Sequence, residues 1–104
     1  IMYKTGTGVV QNYEEAAKLY KLVAEKGDAY AQSALGFMFS NGFGVPQDNV
    51  KAYLWFTTAS DGGYELGSQY REQIAKKMTP EDISKAQEMA SKCIKFKYKN
   101  CGEY

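Results

Sequence analysis

Asn41-Gly42-Phe43-Gly44-Val45-Pro46-Gln47-Asp48 is the stretch that decides the fold, because Thr5-Gly6-Thr7-Gly8-Val9-Val10-Gln11-Asn12 follows the same plan 36 residues earlier. Extended over residues 1–27 and 37–63, that offset gives seven identities: Met2/Met38, Gly6/Gly42, Gly8/Gly44, Val9/Val45, Gln11/Gln47, Ala16/Ala52 and Gly27/Gly63. The matches fall on turn and small-residue positions, where geometry is demanding. A fixed period of this size marks a stacked repeat.

Helical signals flank the quoted corner on both sides. Upstream, Asp28 is placed to cap a helix over residues 29–40. Ala31, Ala34, Leu35, Met38 and Phe39 recur there at steps of three and four, the period of one helix face. Gly36 lets a neighbouring helix come close. The glycines of the corner tolerate the positive φ of a helix C-terminus, and Pro46 cannot continue a helix. Val45 sits to plug the groove between helices. Downstream, Asp48 caps a second helix over 49–61 whose stripe is Ala52, Trp55, Phe56 and Ala59, and Asp61-Gly62-Gly63 ends it. The earlier unit has the same logic. Asn12 and Glu15 form a capping box, Ala16, Leu19, Tyr20, Val23 and Ala24 form the stripe, and Gly27 stops the helix.

The third unit departs from the plan. Its first helix is expected over 64–78. Thr79-Pro80-Glu81-Asp82 then replaces the glycine corner, with Thr79 as N-cap and Pro80 in the first turn. The last helix runs from Pro80 towards Lys97, turning Ile83, Ala86, Met89, Ala90, Cys93, Ile94 and Phe96 inward. The expected layout is thus one repeat domain over 1–104: a partial repeat at 1–27, a full repeat at 28–63, a divergent C-terminal capping repeat at 64–98 and a fraying tail at 99–104. Ile1 to Lys4 match only the last turn of a first helix, so the chain reads as starting inside a repeat, either at Met2 or as a piece of a longer array.

The spaced residues Ala31, Leu35, Gly36, Phe39, Gly42, Gly44, Val45, Asp48, Lys51, Ala52, Trp55, Phe56, Ala59 and Gly62 resemble the Sel-1-like repeat family of tetratricopeptide-type solenoids. Residues 75–83 resemble the closing helix pair that follows the last such repeat. Ser60 departs from the pattern, where a second alanine is usual, as do Arg71 and Glu72, where Leu35 and Gly36 would recur. The resemblance implies an all-α superhelix of antiparallel helix pairs. It also implies adaptor work on a protein or peptide partner held on the concave face, without a cofactor. Members are often secreted or periplasmic, and the compartment of this chain stays unassigned. By analogy with tetratricopeptide arrays, the first helix of each pair lines the concave face. The expected partner-binding positions are therefore Tyr30, Ser33, Phe37, Ser40, Gln69 and Gln73, with Tyr30, Phe37, Gln69 and Gln73 as the contact patch.

Composition narrows the alternatives. The 104 residues are 44% hydrophobic and 24% charged, as in ordinary folded chains, and the net charge of +1 provides no field for nucleic acid. No apolar run reaches the ~20 residues of a membrane span, and no signal peptide is visible. With no histidine, Ser-His and Cys-His couples cannot form, and two cysteines cannot fill a four-ligand zinc site. Glu14-Glu15 and Glu81-Asp82 lie at helix starts, where they oppose the dipole rather than act as an acid–base pair. Gly6-x-Gly8 and Gly42-x-Gly44 follow no strand, so they are not phosphate loops. Lys92, Lys95, Lys97 and Lys99 read as a solvated helix end. Cys93 and Cys101 leave two readings open: a disulfide, if the helix ends between them, or a half-buried Cys93 with a free Cys101 in the tail. A small hydrolase or cell-wall-associated binding module on the same scaffold is the alternative function, and converging carboxylates would mark it. Apolar surface around Tyr20 and Val23 gives a third reading, self-association through the truncated first repeat.

Overall fold

The computed structural model describes residues 12–102. The Gly6-x-Gly8-Val9 corner, the first-helix turn at 1–4 and the last two residues lie outside the described residues. Among those described are five helices and no strand: α1 (Tyr13–Ala24), α2 (Ala29–Asn41), α3 (Asn49–Asp61), α4 (Glu65–Ala75) and α5 (Pro80–Lys95). The architecture is all-α, a solenoid of antiparallel helix pairs.

The caps follow the local chemistry with one exception. Asp28 accepts the Ala31 amide at 2.8 Å, Asp48 the Lys51 amide at 3.0 Å and Thr79 the Asp82 amide at 3.1 Å. Asn12 makes no side-chain cap bond. Its backbone sits at φ −88°, ψ 20° instead of the extended conformation that aims a cap side chain at the helix. The α4 helix stops at Ala75, three residues short of the expected Met78, and α5 stops at Lys95.

The corner after α2 behaves as its glycines require. Gly42 and Gly44 have φ of 71° and 75°, and the Phe43 amide donates to the Met38 carbonyl at 2.9 Å. Gly44 also lies directly on the start of α1. A Cβ there would overlap the Tyr13 carbonyl and come within 2.9 Å of the Glu14 nitrogen. Val45 packs with Ala16, Ala17 and Met38, filling the seam between α1 and α2.

The central helix is α3, which packs against α2, α4 and α5. Its burial accordingly extends beyond the expected stripe to Tyr53, Leu54 and Thr58. Trp55 and Leu54 sit at the heart of a cluster with Leu35, Met89, Ala90 and Cys93, while Phe56 and Ala52 join Ile74 and Ala86 on the other side. Gly36 takes the Phe56 ring into the space of its missing side chain, with ring atoms 2.8 Å from where a Cβ would stand. Gln32 is buried and ties α2 to α1 by donating to the Ala24 carbonyl at 3.0 Å.

Three further expectations are corrected. Helix α1 buries Ala16, Ala17 and Ala24, whereas Leu19 is 62% exposed and Val23 is exposed with it. Residues 16, 17, 20 and 24 form one face and 19, 22 and 23 another, and α2 takes the small-residue face. Phe96 is half exposed instead of inward-facing. The expected fraying tail is also ordered within the described residues. Cys93 and Cys101 form a disulfide with Cα atoms 4.9 Å apart, Cys101 is buried and Tyr98 packs on the core. Lys97, Tyr98 and Asn100 all take positive φ, which wraps residues 96–102 into a strap. The strap reaches across to Gly27, beside the Tyr98 ring, and to Lys51, beside Gly102.

Candidate docking groove

A groove of about 410 Å³ runs between α1, α2 and the start of α4. That size falls within the ~300–1,000 Å³ of typical ligand sites. Helix α2 supplies one wall through Tyr30, Ser33, Ala34 and Phe37, residues spaced at three, one and three. This face is left over once Ala31 and Leu35 have turned into the core, and the buried Met38 lines its inner edge. Helix α1 adds Tyr13 and Tyr20, the corner adds Phe43, and α4 adds Tyr70 together with Tyr64 at its N-cap.

The rings form two clusters. At one end Tyr30 meets Tyr64 edge to face, with centroids 5.7 Å apart. At the other Phe37 meets Phe43 at 6.2 Å, and Phe43 stacks on Tyr13 at 4.9 Å. Tyr30 is 61% and Phe37 50% exposed, so both offer ring surface to solvent. Ser33, only 4% exposed, and Ala34 form the floor between them. None of the described lining residues is Asp, Glu, Lys or Arg.

Of the residues expected to bind a partner, Tyr30, Ser33 and Phe37 come together in the groove. Ser40, in the last turn of α2, and Gln69 and Gln73 on α4 lie outside its lining; both glutamines are exposed. Helix α4 borders the groove through Tyr64 and Tyr70 instead. Sequence reasoning missed Tyr13, Phe43, Tyr64 and Tyr70. The available signal was the seven-residue step from Tyr13 to Tyr20 and from Tyr30 to Phe37, which puts each pair on one helix face.

No group of three or more His, Cys, Asp or Glu side chains is placed to hold a metal ion among the described residues. No helix among them is long and apolar enough to cross a membrane.

The helix pairs, the glycine corner and the Gly36 approach occur in a chain whose residues 1–28, and again 29–64, match the family model of the Sel1 repeat. The chain belongs to the Sel1 repeat family. Among curated relatives, human protein sel-1 homolog 2 is 44% identical over 54 residues, which cover 52% of this chain and 8% of that protein. The exopolysaccharide production negative regulator of Rhizobium leguminosarum bv. viciae is 34% identical over 70 residues, 65% of this chain and 26% of that protein. Chitin synthase regulatory factor 3 of Schizosaccharomyces pombe is 37% identical over 75 residues, 70% of this chain and 8% of that protein. The Sel1 repeats here therefore span between 8% and 26% of the length of these relatives.

Proposed function

We propose that this chain is a non-enzymatic protein-interaction scaffold that holds a segment of a partner protein in the groove between α1, α2 and α4. The observation that carries the reading is the uncharged aromatic lining, with Tyr30 and Phe37 exposed beside it. Aromatic rings supply contact area at low entropy cost, and tyrosine hydroxyls add hydrogen bonds to a peptide backbone. Sel1 repeat proteins are generally interaction and regulatory scaffolds, and two of the relatives carry the names of regulators. The hydrolase alternative needs carboxylates converging on a cleft. The described groove lining contains none.

Selection from a random peptide library displayed on phage, with the folded chain immobilised, tests this reading. The enriched peptides are expected to lose binding to a Tyr30→Ser/Phe37→Ser variant whose melting temperature is unchanged. Peptides that bind this variant as well as the parent chain would place the docking surface elsewhere.

A further inference from the structure

We infer that the groove takes an uncharged, proline-rich segment in the polyproline II conformation. This rests on the reading of the groove as a peptide-docking surface and narrows it to one chemistry. Charge is the first argument. With no Asp, Glu, Lys or Arg in the described lining, an ionised side chain seated there would give up its hydration without gaining a partner. The complementary ligand is a neutral stretch.

Hydrogen bonding is the second. The polar groups of the described lining side chains are the hydroxyls of its tyrosines and of Ser33. A polyproline II segment has no internal hydrogen bonds, so its carbonyls point outward as acceptors for tyrosine O–H donors. Proline has no N–H, so the ligand leaves few donors to be satisfied. A β-strand ligand would need a sheet edge, and every regular element among the described residues is a helix.

Spacing is the third. Tyr30 and Phe37 are seven residues apart on α2, an axial step of ~10.5 Å at 1.5 Å per residue. One three-residue turn of polyproline II advances ~9.3 Å. Each of these residues anchors one ring cluster, Tyr30 with Tyr64 and Phe37 with Phe43 and Tyr13. The low floor of Ser33 and Ala34 lies between them, so the groove presents two aromatic clusters about one ligand turn apart.

The test titrates the folded chain with three probes while following aromatic ¹H–¹³C shifts. The probes are capped decaproline, a capped Gly-Ser peptide of equal length and a chitin oligosaccharide. Decaproline is expected to shift Tyr30, Phe37, Phe43 and Tyr64 saturably, and the Gly-Ser peptide to leave them in place. Phe37→Ser should weaken decaproline by about tenfold or more, as loss of a binding anchor does, with its melting temperature unchanged. If that variant melts early, Tyr30→Ser serves in its place under the same criterion. Decaproline that leaves the groove rings unmoved, or binds both folded variants undiminished, overturns the inference. If library-selected peptides without proline still occupy the groove, the scaffold reading stands and only the ligand class falls. If the oligosaccharide alone moves the groove rings, both fall.

Discussion

Reducing the Cys93–Cys101 disulfide should cost this small solenoid a large share of its stability. The bond closes a loop between residues eight apart. In the chain-entropy description a loop of that size contributes about 2.5 kcal/mol. For 104 residues, an unfolding entropy of about 2.1 cal/mol/K per residue converts this to a fall of about 11 °C in Tm. Reduction leaves the side-chain volume at both positions unchanged, so it introduces no void of its own. The Cys93→Ala/Cys101→Ala variant also opens a void beside Leu54 and Trp55 and should melt lower still. The strap responds as well. Lys97, Tyr98 and Asn100 hold positive φ; asparagine tolerates it, but Lys97 and Tyr98 each carry a cost of roughly 1–2 kcal/mol, so without the crosslink the local backbone favours opening. The assay is thermal unfolding by circular dichroism with and without a phosphine reductant, with thiol counting to show complete reduction. Amide exchange follows the Tyr98 N–H, which donates to the Cys93 carbonyl at 2.7 Å. An unchanged Tm in fully reduced protein, or a Tyr98 amide still protected, would refute the argument that the bond holds the strap.

Two further outcomes follow from packing and capping. Gly67→Ala should destabilise by about 1–3 kcal/mol in urea unfolding despite the ~1 kcal/mol that alanine adds in helix propensity, because its Cβ would stand 2.8 Å from the Phe56 carbonyl oxygen and 2.9 Å from the Ser60 nitrogen. Asp48→Ala should cost about 1 kcal/mol by removing a cap bond, whereas Asn12→Ala, which removes none, should stay within about 0.5 kcal/mol.

Most features that local chemistry controls were legible in the sequence, the Asn12 cap being the one that failed. Asp28, Asp48 and Thr79 cap because a short polar side chain before an apolar period has few other roles, and the Gly42–Val45 corner announced its own geometry. Features that depend on distant neighbours were not legible. Helix α1 carries two apolar faces, and periodicity cannot say that α2 takes the alanines and leaves Leu19 outside. The strap needs a distant landing place, the Leu54–Trp55 cluster, which no spacing around Cys101 discloses. The groove was half visible: Tyr30, Ser33 and Phe37 follow from one helix face. Gln69 and Gln73 were carried over by period alone, yet α4 meets the groove through Tyr64 and Tyr70. Tyr13 and Phe43 come from separate elements and become neighbours only when α1 meets the corner.

The contact between Tyr98 and Gly27 has a consequence for how this array melts. In an ideal repeat stack each unit touches only its neighbours, so the ends can peel away one at a time. Here the last segment of the chain reaches past the middle pair to the turn between α1 and α2. The terminal pair cannot detach without uncovering the far side of the molecule. What would be a row of dominoes becomes a buckled belt, and it should come undone in a single cooperative step.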